Sequence, residues 1–377
     1  VYNNHLNTVG AGTLRSRLAE ESLISDFDYR GFEPNKGSII KTPNFNNLDQ
    51  LFISLGYRYR HQEWGKTPFD WQQSLKFNYS ISQRSPSIEY EAVFHQAIGK
   101  WSLGLFGRWD PTTMNNFFGL GNETSRIENI RTRYYRLFTN EYTGTISLQR
   151  LFGTHHRFTI DAGYNSARVS TDPEFFVTKD IASLDPDVYN RKHFGLAQVQ
   201  YIYTRVNNAV VPTKGFNFYA NGGYTINLKE TDRRFWSGGT GANLYIPFGK
   251  NLSASLRAGI QSVSGETEFY QLPWIGGGQT LRGYRRGRFW GKTAFHNNND
   301  LRYLWNTRNF LFTGKMGIVG TFDIGRVWLP GEESNRYHMG YGGGILVAPF
   351  NRTTVQVGYA ISREDRVFNI RIGTRLF

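Results

Sequence analysis

Residues 71–82 read Trp-Gln-Gln-Ser-Leu-Lys-Phe-Asn-Tyr-Ser-Ile-Ser, and this pattern decides the fold class. From Leu75 to Ile81 every odd position is a large apolar residue and every even position is polar. Successive side chains of a β-strand point to opposite faces of a sheet, so the pattern predicts a strand with one apolar and one polar face. Such strands are typical of membrane barrels, in which lipid covers the outer face and the lumen is wet.

The same alternation returns along most of the chain and is clearest at its end, where Phe368, Ile370 and Ile372 alternate with Asn369 and Arg371. Strands are expected at residues 51–60, 71–82, 88–95, 101–109, 132–151, 155–168, 192–205, 215–228, 234–248, 252–261, 295–305, 315–328, 338–348, 352–361 and 367–377. In a soluble sandwich the apolar face would cover a core. Here the opposite face is rich in Gly, Ser, Asn and Arg, and aromatic residues gather near strand ends, which favours a membrane barrel with aromatic girdles.

The strand count and the connections suggest how this barrel is built. About fifteen strands follow Leu51, and a sixteenth is expected within residues 1–48, where Gly37–Pro43 is the candidate. Even strand numbers are the rule in bacterial barrels, and short periplasmic turns alternate there with long external loops. We therefore predict an all-β fold: a 16-stranded antiparallel transmembrane barrel over residues 49–377. The segment 1–48 is expected to contribute the first strand, a plug or a periplasmic stretch.

Composition excludes several classes of protein. The 377 residues include no cysteine, which excludes disulfides, thiolate metal sites and cysteine nucleophiles. No run of 18 apolar residues occurs, which excludes transmembrane helices. The net charge of +14 is dispersed along the chain, which favours the phosphates of membrane lipid and lipopolysaccharide over nucleic acid as the anionic partner. No catalytic or phosphate-binding motif is present, so we expect no enzymatic activity, cofactor or metal.

The longest connection holds the candidate site. Residues 276–284 read Gly-Gly-Gly-Gln-Thr-Leu-Arg-Gly-Tyr, and their glycines allow a tight inward turn because Gly tolerates positive φ. About 40 residues later Asp323 alternates with Phe322 and Ile324, so its carboxylate faces the lumen. A bidentate guanidinium is the best partner for such a carboxylate. From the residues alone, Arg282 is either that partner or a solvated side chain on an external loop.

These motifs resemble those of the BamA/TamA-type outer-membrane assembly barrels, also called bacterial surface antigens. Leu281-Arg282-Gly283-Tyr284 is similar to the family's Val-Arg-Gly-Phe/Tyr loop motif, and Asp323-Ile-Gly325 to its Asp-x-Gly strand motif. Asp300-Leu-Arg302 stands where the family commonly has Glu-Leu-Arg, and the terminal Phe377 resembles its closing aromatic residue. The resemblance implies that Arg282 folds inward and pairs with Asp323, with Gly325, Asp300 and Arg302 lining the same part of the lumen.

The chain also departs from the family pattern. Asp300 is one methylene shorter than the usual Glu, and Thr321 stands where the family often has Phe or Gly. Residues 1–48 are too few for a POTRA repeat, the periplasmic domain that receives substrate in assembly factors. Residues 117–124, Phe-Phe-Gly-Leu-Gly-Asn-Glu-Thr, look like a subgroup typical of Bacteroidetes that carries a metallophosphoesterase ahead of the barrel.

The resemblance implies a function without chemistry: insertion or translocation of proteins at the outer membrane of a Gram-negative bacterium. The implied partners are client outer-membrane proteins and periplasmic or lipoprotein subunits. The implied device is a seam between the first and last strands that opens laterally. Gly373 in the last strand weakens pairing there, and an unpaired edge templates another strand. An ordinary closed seam is the alternative. Two other roles stay open: an anchor or exporter for an attached enzymatic domain, and a passive porin or structural subunit.

Overall fold

The computed structural model describes residues 35–46, 50–63, 68–81, 83–127, 130–179, 186–310 and 312–373. Sixteen strands form one antiparallel sheet in chain order, and two short strands pair separately in the connection between its eleventh and twelfth strands. The strands are β1 Lys36–Asn46, β2 Gln50–His61, β3 Trp71–Ser80, β4 Ser85–Ile98, β5 Trp101–Asn116, β6 Arg136–Phe152, β7 His156–Val169, β8 Lys192–Val206, β9 Gly215–Asn227, β10 Arg234–Pro247, β11 Leu252–Gly265, β12 Trp274–Ile275, β13 Phe289–Trp290, β14 Thr293–Arg308, β15 Thr313–Trp328, β16 His338–Pro349, β17 Thr354–Ser362 and β18 Arg366–Gly373. The 16-stranded antiparallel prediction is confirmed.

Short helical segments lie in the long connections. They are an α-helix at Phe176–Lys179 and 3₁₀ turns at Thr132–Tyr135, Pro186–Tyr189 and Phe269–Gln271. None of the helices in the described ranges has the length and apolar character needed to cross a bilayer. The sheet begins at Lys36, inside the segment 1–48, and residues 1–34 lie outside the described residues, as does Phe377.

The sheet is apolar outside and polar inside, as β14 shows. Leu301 and Tyr303 are 53% and 46% exposed on its outer face, while Asp300 and Arg302, one residue away, are only 7% and 1% exposed. A soluble protein buries large apolar side chains and exposes charged ones. The reverse arrangement places lipid around the barrel and polar side chains in its interior.

Connection lengths differ at the two ends of the barrel. Long connections at one end include residues 117–135, 170–191 and 266–292, whereas residues 153–155, 248–251 and 350–353 make short turns at the other. Antiparallel barrels of the bacterial outer membrane have their long loops outside and their short turns in the periplasm. The connection 266–292 therefore enters the barrel from the external side.

The two outermost strands of the sheet are β1 and β18. Within the described ranges, β1 pairs with β2 alone and β18 pairs with β17 alone. The described part of the last pairing runs from Thr354 opposite Gly373 to Ile361 opposite Arg366. By comparison, β14 and β15 pair over their full 16 residues. In the described ranges eight residue pairs join β17 to β18, as many as join β16 to β17.

Candidate functional site

The Gly-rich connection folds into the barrel as a small hairpin. Trp274 pairs with Trp290 and Ile275 with Phe289, so β12 and β13 form a stem. Beyond the stem, Gly276 has φ 125°, a backbone conformation that only glycine adopts without strain. This turn carries residues 276–288, here called the inward loop, against the lumen face of β14, β15 and β16.

Arg282 of the inward loop reaches Asp323 on β15 with three donors. Its Nε donates to Asp323 Oδ2 at 2.7 Å, its backbone N–H donates to the same oxygen at 2.8 Å, and its Nη2 donates to Oδ1. The Asp323 side chain is fully buried. A carboxylate in that position needs ionic partners, and this bidentate pair supplies them together with a backbone donor.

A second carboxylate extends the pair into a network. Arg282 Nη1 donates to Asp300 Oδ1 at 2.6 Å, and Arg302 Nη2 donates to Asp300 Oδ2 at 2.6 Å. Asp300 therefore bridges two arginines, and Arg282 holds two aspartates. Burial disfavours the charged guanidinium, but Asp323 and Asp300 outweigh that cost and hold the pKa of Arg282 above its usual value. The guanidinium of Arg282 is therefore charged and is held in one position by the two carboxylates.

Glycine on the barrel wall makes room for this contact. A Cβ at Gly340 of β16 would lie 1.8 Å from the carbonyl oxygen of Arg282, so no side chain fits between wall and loop. At Gly325 of β15 a Cβ would lie 2.9 Å from the carbonyl oxygen of Phe295 and 3.1 Å from Ile275 Cδ1. Gly340 therefore lets the inward loop lie directly on β16, and Gly325 makes room for β14 and for Ile275 of the stem.

We therefore expect Gly340→Ala to loosen the loop. The added methyl group forces the backbone at Arg282 away from β16, and overpacking of this kind costs about 1–3 kcal/mol. Hydrogen exchange of the amides in residues 276–284 measures the change. Gly320→Ala on β15 is the matched control, since a Cβ there meets nothing within 4 Å. Equal exchange rates in the two variants would contradict the close-approach argument.

The other motif residues pack around Arg282. Leu281 and Tyr284 are buried in an apolar cluster with Ile275, Phe289, Ala294 and Val327. The loop backbone is also bound directly: Thr280 O accepts from Asn298 Nδ2 at 2.9 Å, and Gly283 O accepts from Ser362 Oγ at 2.8 Å. The motif is thus an anchor made of one ionic network, one apolar cluster and bonds to three strands.

At the seam, Gly373 is the last described residue of β18. Its carbonyl oxygen accepts a hydrogen bond from Thr354 Oγ1 at 3.0 Å, so the end of the strand is still attached to β17. Two lumen carboxylates farther along the sheet, Glu89 and Glu91, share one lysine. Lys76 Nζ lies 2.6 Å from Glu89 Oε1 and 3.6 Å from Glu91 Oε2. Lys76 faces them from the neighbouring strand, a pairing that the alternation pattern allowed.

Sequence reasoning missed the external cap that closes over the inward loop. Arg288 is buried, and its Nε and Nη1 donate to Glu364 Oε2 at 2.6 Å and to Thr124 Oγ1 at 2.7 Å. Asn122 Nδ2 donates to the carbonyl oxygen of Val327 at 2.6 Å, and its Oδ1 accepts from the N–H of the same residue. Asn122 and Thr124 belong to the stretch 117–124, which the sequence marked as a motif. Its contacts with Val327 and Arg288 could not be predicted from the sequence.

Aromatic packing and ion pairs complete the cap. Phe117 packs against Phe269 and Trp290, with ring centroids 4.8 and 5.7 Å apart. Lys192, only 3% exposed, lies 3.9 Å from Glu268 and also contacts Asp187. Burial raises the pKa of the Glu268 carboxyl, although Lys192 and Arg233 act in the opposite direction. The external end of the barrel is therefore occupied by packed loops.

The chain matches a known domain over most of its length. Residues 68–376 match the Omp85 superfamily domain. The chain belongs to the Omp85 superfamily. The resemblance drawn from residues 281–284 and 323–325 is thereby confirmed at the level of the superfamily, and this Omp85 chain is an integral protein of the Gram-negative outer membrane.

Solved structures share the fold at low identity. BamA from Haemophilus ducreyi lacking POTRA domains 1-3 is 15% identical with a TM-score of 0.66, and the match covers 90% of this Omp85 chain and 70% of that one. CdiB from Escherichia coli is 13% identical with a TM-score of 0.54, covering 90% and 62%. CdiB from Acinetobacter baumannii is 11% identical with a TM-score of 0.50, covering 90% and 65%. The chain thus spans less than two thirds of both CdiB chains. A search of curated protein sequences gave no match.

Proposed function

We propose that this Omp85 barrel inserts or translocates proteins at the outer membrane by offering an unpaired strand edge. The observation that carries the proposal is the edge position of β18, which among the described residues pairs only with β17. An exposed edge presents N–H and C=O groups that pair with an incoming strand. This action needs no chemistry, and the proposed partners are membrane lipid, lipopolysaccharide, client barrel proteins and periplasmic or lipoprotein subunits.

The lumen side of β18 supports the same role. Consecutive residues from Val367 to Ile372 line a cavity of about 780 Å³ that also reaches the inward loop. Residues of both strand faces can line one cavity where the strand has a neighbour on one side only. Anchoring the inward loop against β14 to β16 leaves this space beside β18 for an arriving segment.

The packed cap makes a passive porin the weaker alternative. A porin needs a continuous aqueous lumen, but the inward loop and the aromatic packing around Phe117 and Trp290 fill the external end. An anchor or exporter for an attached metallophosphoesterase-like domain remains the second candidate, because stretch 117–124 resembles that subgroup and is built into the cap.

Depletion of the protein followed by quantitative outer-membrane proteomics tests the proposal. We expect many barrel proteins to fall together, because a general insertion factor serves many clients. Loss of one exported protein or of one enzymatic activity would instead identify a dedicated exporter or anchor. An unchanged outer-membrane proteome, together with a steady current through the purified protein in a planar bilayer, would contradict the proposal and favour a porin.

A further inference from the structure

The lumen beside β18 is lined by cations. Two cavities of about 770 and 780 Å³ share Trp274, Gln279, Arg371 and Ile372 in their walls. Their arginines are Arg136, Arg157, Arg257, Arg282, Arg285, Arg286, Arg366 and Arg371, and none of the described residues that line either cavity is an aspartate or a glutamate. Low-dielectric walls that carry one sign of charge concentrate ions of the opposite sign between them.

Arg371 stands at the junction of the two cavities without an acidic partner. Its Nη2 donates to the carbonyl oxygen of Gly278, and within the described ranges no carboxylate lies within 4 Å of it. It lies within Coulombic range of Arg257 and Asp300 and, beyond them, of Arg282 and Arg302, and Asp300 is already paired with the last two arginines. Among these described residues the four arginines Arg257, Arg282, Arg302 and Arg371 face the two aspartates Asp300 and Asp323, a net charge of +2 (4 − 2). An excess of positive charge that faces a cavity attracts a counter-ion.

The surroundings of Arg371 offer hydrogen-bond donors with the chemistry of an oxyanion site. Arg257, His296, Gln279 and Tyr219 line the same cavity of about 770 Å³. Arg302, which lines neither cavity, is only 1% exposed and pairs with Asp300 behind this wall. The planar fork of a guanidinium matches phosphate geometry, and donors of this kind bind it with charge-assisted hydrogen bonds.

We propose that the cavity around Arg371 and Arg257 binds a phosphate-bearing anion. The phosphate can belong to a soluble compound in the lumen or to the head group of a lipid that enters between the edges of β18 and β1. Both sources present the same oxyanion, and the site is independent of any client-insertion activity.

Calorimetric titration with inorganic pyrophosphate tests the site. The purified protein in a non-ionic detergent, free of phosphate and held at constant ionic strength with chloride, is expected to bind one pyrophosphate. Arg371→Gln is expected to weaken binding about tenfold or more, the value of one charge-assisted contact. Arg363→Gln is the matched control, because Arg363 is exposed in the adjoining turn and lines neither cavity. Arg371→Lys keeps the charge, so its affinity for pyrophosphate is expected to lie between those of the wild type and Arg371→Gln. Heat-modifiable migration in gel electrophoresis checks that each variant is folded.

A lipid arm distinguishes the two sources. The protein is reconstituted in phosphatidylcholine vesicles containing phosphatidic acid and then examined by native mass spectrometry. Phosphatidic acid retained by the wild type, displaced by pyrophosphate and lost in Arg371→Gln indicates a head-group site. Pyrophosphate binding without retained lipid indicates a soluble ligand. Wild type that binds neither, or equal binding by Arg371→Gln and Arg363→Gln, overturns the proposal.

Discussion

Arg282→Ala is expected to release the inward loop, and to cost more than Asp323→Ala. Removing the guanidinium strands the fully buried Asp323, whose side-chain partners both come from Arg282. Breaking a buried pair in this way costs about 3–5 kcal/mol. Removing Asp323 instead leaves Arg282 still bound to Asp300 at 2.6 Å, so a smaller loss of about 1–3 kcal/mol is expected.

Hydrogen exchange of the amides in residues 276–284 measures these losses as local opening free energies. Arg285→Ala is the matched control: Arg285 lies in the same loop, but its side chain is 39% exposed and its pair with Asp365 is near the surface. Surface pairs contribute about 0–1 kcal/mol, so this variant should exchange almost like the wild type. The double variant Arg282→Ala/Asp323→Ala should recover part of the loss, because no buried charge remains at Asp323. If Arg282→Ala and Arg285→Ala exchange alike, the ionic network does not anchor the loop.

The fold was readable from sequence because a membrane barrel repeats one simple signal. Alternation along β3 and β14 specifies which face meets lipid, and that is a local property of each strand. A count of sixteen strands requires β1, but the alternation at Gly37–Pro43 is too weak to predict a strand there on its own. The strand is recognised by its pairing with β2. Strand pairing depends on neighbours along the sheet, so a weakly patterned strand is recognised through its partner.

The candidate site was readable only in part. Arg282 and Asp323 are 41 residues apart, and their motifs suggested a pair that the structure brings into contact. Asp300 was expected in the same part of the lumen from the resemblance, and its contact with Arg282 depends on the register that places it opposite Thr321, two residues from Asp323 along β15. The anchor between Arg288 and Glu364 joins loops 76 residues apart with no periodicity to connect them. Such contacts are set by three-dimensional packing, which no local pattern encodes.

Crosslinking β1 to β18 is expected to abolish client assembly. If an arriving strand pairs with the edge of β18, a covalent bridge across the seam keeps β1 in its place. The chain has no cysteine, so every thiol in the experiment is an introduced one. Ile39 is exposed on the outer face of β1, and Phe368 and Ile372 are exposed on that of β18. Cysteines at Ile39 and at one or the other of these positions, joined as a disulfide or by a short bismaleimide, form the seam tethers.

The matched control joins two strands that are already paired. Val357 on β17 lies opposite Ile370 on β18, and a Val357→Cys/Ile370→Cys bridge carries the same chemistry without closing the seam. The assay follows folding of urea-unfolded outer-membrane proteins into vesicles that contain the reconstituted protein. The seam tether should reduce folding to the level of empty vesicles, and reduction of a disulfide should restore it, whereas the control should stay active throughout. Full activity with the seam tethered would show that client strands do not enter there, because an edge that is covalently closed cannot accept a new strand.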